Sequence, residues 1–142
     1  MVNIMTKKKT VLFLCTHNSA RSQMAEGLLN TIYGNIYDAY SAGIQPTHVS
    51  PYAVEVMKEY GIDLSSHHSK SVEVFEDTSF DHVVTVCDHA KEVCPVFPGK
   101  KVSHKGFPDP SDADGSLEEI IVAFKTIRDE IKSWIEKEFK PK

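Results

Sequence analysis

Apolar residues change their period along this chain, and each change marks an element. Residues 9–15, KTVLFLC, form a short β-rich apolar run of the kind buried on both faces of a sheet. From Ser22 to Tyr33 the period turns helical, with Met24, Ala25, Leu28, Leu29, Ile32 and Tyr33 as the apolar set and Gly34 as the stop. YDAYSAG (37–43) predicts a second strand. Pro51 opens a second helix that Gly61 closes, carrying Ala53, Val54, Val56, Met57 and Tyr60 on its apolar side. DHVVTVC (81–87) predicts a third strand ending in a cysteine, and KKVSH (100–104) a weaker fourth. The last helix is the clearest: Leu117, Ile120, Ile121, Phe124, Ile127, Ile131, Trp134, Ile135 and Phe139 make one stripe at i, i+3, i+4, i+7. Ser116 with Glu119 forms a capping box at its start, and lysines crowd its end, as the helix dipole prefers.

Strands alternating with helices predict an α/β fold: a four-stranded parallel sheet flanked by helices on both faces. At 142 residues the chain suffices for one domain with a real core. It contains no internal repeat, low-complexity tract or linker. In such sheets ligands bind at the carboxyl ends of the strands, and two cysteines sit at or just past such ends.

Charge and composition narrow the function. A net charge of −4 argues against a nucleic-acid partner, and the basic run Lys7 to Lys9 reads as a solvated flank. No apolar run approaches the roughly 18 residues of a membrane span. The opening MVNIMTKKKT places its apolar residues before its lysines, the reverse of a signal peptide. The expected compartment is therefore the cytoplasm, with no membrane partner, where thiols stay reduced. Cys15, Cys87 and Cys94 are then not structural staples; they are inert core residues or they do redox or nucleophilic chemistry.

Cys15 and Arg21 enclose Thr16, His17, Asn18, Ser19 and Ala20, with Ser22 next. A thiol at a strand end, followed by a loop into a helix, is ringed by backbone N–H groups without partners. Those groups and the helix dipole favour an anion, and favour a thiolate over a thiol. Arg21 offers a planar fork matched to a tetrahedral oxyanion. The pattern C-x5-R is weak alone; its place between a buried strand and an amphipathic helix makes it an oxyanion loop with Cys15 as nucleophile.

Chemistry at such an oxyanion needs an acid for the departing oxygen. GFPDPSDADG offers Asp109, Asp112 and Asp114, of which the last two suit a turn leading to Ser116. Pro108 and Pro110 stiffen the backbone around Asp109. Cys87 and Cys94 lie seven apart, which on an unbroken helix is about 10 Å along the axis. A disulfide needs Cα atoms about 4.4–6.8 Å apart, so a bonded pair requires a looped segment. Three readings of the pair stand side by side: inert core, a zinc site with His89 and His104 whose spacings match no familiar knuckle, and a thiol relay.

The stretch CTHNSARSQMAEG resembles the active-site loop of the low-molecular-weight tyrosine phosphatase fold, in the variant used by thioredoxin-coupled arsenate reductases. Gln23 stands where the phosphatases usually have proline, as it does in the reductases. YSAG (40–43), GIDLSSH (61–67), VVTVC (83–87) and GFPDP (106–110) resemble later family segments in the same order, so the likeness spans about residues 9–138. It implies arsenate as substrate, Cys15, Cys87 and Cys94 as a relay, Arg21 as oxyanion holder and Asp109 as the acid. It further implies that Asn18 and Ser22 orient the loop and hydrogen-bond the thiolate. Reducing equivalents would come from thioredoxin or a similar dithiol protein, with no bound cofactor and a monomeric chain.

Two departures stand out. Ala20 occupies a position where many members carry another cysteine, and His17 replaces a glycine, where it is expected to cover the loop. Some reductases of this kind bind potassium through residues resembling Asn18, Glu26 and Ser41 plus an aspartate. Lys70 stands at that last position, so no metal is expected. The rival enzyme is a low-molecular-weight tyrosine phosphatase that hydrolyses a Cys15 phosphoenzyme; the rival outside enzymology is an oxyanion or redox sensor.

Overall fold

The structure is a computed structural model that describes residues 7–88, 91–94 and 96–141. Its sheet holds four parallel strands: β1 (Lys9–Cys15), β2 (Tyr37–Gly43), β3 (His82–Thr85) and β4 (Lys101–His104), in the order β2-β1-β3-β4. β1 is central, with Phe13 opposite Ser41 on one side and Val84 on the other. That position explains its unbroken apolar run, because both its faces are covered. The helices are α1 (Arg21–Ile32), α2 (Pro51–Lys58) and α3 (Leu117–Glu138).

The two sides of β1 face different layers. Val11, Phe13 and Cys15 point into the main core, with Met24, Ala25 and Leu28 of α1, Ala53, Val56 and Met57 of α2, and Phe124, Ile131 and Ile135 of α3. Leu12 and Leu14 point the other way, onto Phe80, Val83 and Phe97. Among the described residues, the helical turn on that second face is the 3-10 turn Val72–Phe75, whose Val72 and Phe75 pack against this smaller cluster. Phe13 meets Trp134 and Phe139 edge-on, at 6.1 and 6.0 Å between ring centres. Each such ring pair is worth about 0.5–1.5 kcal/mol beyond its buried area.

Local chemistry sets most of the boundaries. Ser50 caps α2 by accepting from Tyr52 N and Ala53 N, ahead of Pro51. Ser116 and Glu119 form the expected reciprocal capping box on α3. Gly61, at φ +71°, turns the chain after α2, but the helix itself stops at Lys58 and the two residues between belong to the turn. Gly34 follows the end of α1, as expected of a stop. Its φ is not positive; a Cβ there would lie 2.0 Å from the Asn30 carbonyl, so the requirement is close approach. The third strand is shorter than the 81–87 run, because regular pairing stops at Thr85. Val86 adds one further bond, from its N–H to Leu14 O, and Cys87 lies past the ladder.

Candidate active site

The carboxyl end of β1 delivers Cys15 directly into the loop 16–20, and Arg21 is the first residue of α1. Neither Ala20 at the N-cap nor any acidic residue in the first turn competes for the N–H groups of α1. Met24 N does close onto Ala20 O at 2.8 Å, so the helix is regular from its first turn. Cys15 is a free thiol, buried beneath the loop.

A chain of buried polar groups shapes the loop around that thiol. Asn18 sits at φ 51°, the left-handed region that asparagine tolerates better than most residues. Its Nδ2 donates to Ser22 Oγ at 2.8 Å, and Ser22 Oγ lies 2.9 Å from Cys15 Sγ. With one lone pair of Ser22 occupied by Asn18, the Ser22 hydroxyl hydrogen is free to point at sulfur. Asn18 Oδ1 accepts from Gln23 Nε2 at 2.9 Å and from Lys70 N at 3.0 Å. Gln23 also donates to His68 O at 3.1 Å, and its Oε1 lies 3.0 Å from His67 Nδ1. Gly43 closes the loop from below; a Cβ there would meet Thr16 O at 2.7 Å and Asn18 N at 2.9 Å, so only glycine lets the strand end pass.

A cavity of about 370 Å³ opens above the loop, lined among others by Cys15, Ser19, Arg21, Asp109, Tyr52 and Phe124. Asp109 precedes the 3-10 turn Pro110–Asp112; its Oδ1 accepts from Ser111 N at 2.9 Å. Its Oδ2 lies 3.4 Å from Arg21 Nη2, which brings the acid candidate to the oxyanion loop. Asp112 and Asp114 are exposed and do not line the cavity, in keeping with turn roles. His17 lies at the cavity wall with Nδ1 3.0 Å from Gln45 O, a covering position.

Cys87 and Cys94 are joined as a disulfide with Cα atoms 6.0 Å apart. Between them, Lys91 N and Glu92 N both donate to Asp88 O at 3.0 Å. Of the residues weighed for zinc, His89 lies outside the described residues, and His104 Nδ1 is 2.7 Å from Thr85 Oγ1. The two cysteines that would complete that set are bonded to each other.

One residue of this loop had no motif to announce it. Glu92 takes the fork of Arg21 bidentately: Nη1 donates to Oε2, and Nη2 donates to Oε1 at 2.9 Å. Thr16 Oγ1 donates to Oε1 at 2.6 Å and Asp88 N to Oε2 at 2.9 Å. Burial pushes the Glu92 carboxyl up, but the bonds from Arg21, Thr16 and Asp88 outweigh it and hold it down at about 2. Arg21 is buried too, which opposes its charge, yet Glu92, Cys15 and Asp109 together keep its guanidinium above the ordinary value.

The residues resembling a potassium site do come together. Ser41 Oγ donates to Glu26 Oε1 at 2.6 Å, and Asn18 Oδ1 holds Lys70 N. Lys70 Nζ donates to His68 O at 3.2 Å; burial lowers its pKa and the charge of Glu26 opposes that. The other Glu26 oxygen, Oε2, lies 3.6 Å from His67 Nδ1.

A parallel α/β sheet with a buried thiol and an arginine at one strand-to-helix turn is the framework of cysteine enzymes that act on tetrahedral anions. The family model described as low molecular weight phosphotyrosine protein phosphatase matches residues 10–140, and the chain belongs to that family. Within it, the chain is similar to the arsenate reductase of Halalkalibacterium halodurans, 48% identical over 87% of this chain and 90% of that one. Among solved structures, an arsenate reductase in the phosphate binding state matches with a TM-score of 0.74 and 32% identity, over 90% of this chain and 94% of that one. A thioredoxin-dependent arsenate reductase of Corynebacterium glutamicum matches with a TM-score of 0.60 and 27% identity, over 94% of this chain and 64% of that one.

Proposed function

We propose that the chain reduces arsenate to arsenite by a three-cysteine relay. Cys15 thiolate, steadied by the Ser22 hydroxyl, attacks arsenic(V) held by the loop amides and Arg21. Asp109 gives its proton to the departing oxygen, which leaves as water and yields a Cys15–arsenic adduct. Cys87 thiolate then attacks Cys15 Sγ. The sulfur–arsenic bond breaks, its electron pair passes to arsenic, and arsenite leaves while a Cys15–Cys87 disulfide forms. Cys94 attacks Cys87 and frees Cys15. An external dithiol then returns two electrons and two protons to the 87–94 pair.

What supports this reading over phosphatase action is the 87–94 disulfide itself, set in a loop that reaches Thr16 and Arg21. Hydrolysis of a phosphoenzyme uses water and has no need of a thiol pair there. The likeness to arsenate reductases and to a thioredoxin-dependent one points the same way. We assign thioredoxin, or a similar dithiol protein, as the reductant, a reducing compartment as the setting, a monomer as the working form, and no potassium requirement. The test is consumption of NADPH by the chain with arsenate, thioredoxin and thioredoxin reductase. Arsenate-dependent turnover that vanishes in Cys15→Ser is expected; no turnover alongside brisk aryl phosphate hydrolysis would favour the phosphatase.

A further inference from the structure

The ion pair between Glu92 and Arg21 joins the thiol pair to the oxyanion loop. Glu92 lies between the two bonded cysteines, two residues before Cys94, and its partner Arg21 is 71 residues away across the site. Its two carboxylate oxygens take both Nη groups of the arginine, the same fork that would grip two oxygens of a tetrahedral anion. Thr16, the first loop residue, gives its hydroxyl to the same carboxylate. Asp109 brings a second carboxylate to Arg21 Nη2 at 3.4 Å. An incoming dianion therefore meets an arginine whose charge is already answered and whose Nη donors are already shared.

Glu92 lies inside the covalent ring that the 87–94 disulfide closes. With the bond closed, the Cα atoms of Cys87 and Cys94 are held 6.0 Å apart, and Lys91 N and Glu92 N both donate to Asp88 O within that ring. Opening the bond, which takes up two electrons and two protons from a dithiol, removes that constraint.

We propose that Glu92 is a redox-gated competitor for the oxyanion: its carboxylate holds Arg21 while the 87–94 disulfide is closed, and yields the arginine when the disulfide opens. The oxidised enzyme thus refuses a new oxyanion until it has been recharged, which prevents Cys15 from forming an adduct that no thiol could resolve. The inference rests on residues 15–21 being the oxyanion loop. It also carries a reciprocal consequence, since two events that exclude one another are linked in both directions. If the closed disulfide weakens oxyanion binding, a bound oxyanion must make the disulfide easier to reduce by the same factor.

The experiment uses the full chain and inorganic phosphate, a tetrahedral probe that leaves Cys15 unmodified at equilibrium. Titration calorimetry is run on the 87–94 disulfide form, verified by peptide mass spectrometry, and on the form reduced with dithiothreitol. A charge-assisted pair displaced from a buried arginine predicts binding about tenfold to a hundredfold weaker in the oxidised form. Glu92→Gln and Glu92→Ala should each bring the oxidised value to within about threefold of the reduced one. Saturating phosphate should raise the wild-type reduction potential by about 30 mV per tenfold of that preference, and should not do so in Glu92→Gln. Equal phosphate binding by both wild-type forms overturns the gate while leaving the oxyanion loop intact. An undiminished redox difference in both Glu92 variants overturns the role of Glu92. Phosphate binding to neither form overturns the gate and the loop reading together.

Discussion

Replacing Asn18 by alanine removes the group on which the whole loop is hung. The side chain is completely buried and makes three bonds: to Ser22 Oγ at 2.8 Å, from Gln23 Nε2 at 2.9 Å and from Lys70 N at 3.0 Å. At about 1 kcal/mol net for each, their loss amounts to about 3 kcal/mol. The backbone adds its own cost, because φ 51° is left-handed and alanine there is worse by about 1 kcal/mol than a residue that tolerates it. Asn18→Ala should therefore lose about 4 kcal/mol, a large share of the 5–15 kcal/mol typical of a domain. Asn18→Gly loses the same bonds without the strain and should fall by about 3 kcal/mol. Activity should drop as well, by at least about tenfold in both, since Ser22 is then free to turn its hydroxyl away from Cys15. Urea unfolding of the reduced proteins gives the stabilities, and single-turnover arsenate reduction gives the rates. A loss under about 1 kcal/mol in both variants would refute the buried network as the support of the loop. Alanine no worse than glycine would refute the strain.

Arg21→Lys should cut kcat/KM for arsenate at least about a hundredfold despite keeping the charge, because a point ammonium cannot reproduce the fork; near-normal steady-state kinetics would reduce Arg21 to a structural residue. Asp109→Asn should slow formation of the arsenic adduct by about 10²–10⁴-fold while leaving disulfide exchange largely intact, and stopped single turnovers separate the two steps. The same change at exposed Asp112 should do neither. His82 is buried, with Nε2 2.8 Å from Ser103 Oγ, and burial together with Lys101 pushes its pKa below the ordinary value against the pull of Glu138. The unfolded chain then binds the extra proton first, so this group's share of stability is full above about pH 6.5 and is lost as pH falls below it. Urea midpoints at pH 7.5 and 5.5 should accordingly drop more in wild type than in His82→Gln.

The sheet and its helices were legible because their signals are local. The period of 117–139 and the Ser116–Glu119 spacing are written within one turn or one stripe of the chain, and α3 follows both. The place of Cys15 and Arg21 at a strand-to-helix junction was legible for the same reason. Gly34 shows the limit: sequence reports a glycine, but whether it serves a positive φ or the approach of Asn30 O depends on how α1 meets β2. Distribution between layers was equally hidden. The α2 stripe fits either face of a sheet, and only contacts with α1 and α3 put it in the main core. Glu92 was invisible because its meaning lies in a partner 71 residues away. Its one sequence signal is a carboxylate between two cysteines, and without the folded loop that is an ordinary exposed charge. Gln23 marked a resemblance to the reductases, yet its bonds to Asn18 and His68 emerge only once residues 67–70 fold back over the loop.

The relay is tested most directly by trapping it. Cys94→Ser, reduced and given one equivalent of arsenate, should release arsenite once and stop, and tryptic mass spectrometry should find Cys15 joined to Cys87. Cys87→Ser should stop a step earlier, at the arsenic adduct, and neither change should much reduce hydrolysis of a small aryl phosphate. A Cys94→Ser protein that shows no 15–87 linkage and keeps full multiple turnover with thioredoxin would contradict the relay outright.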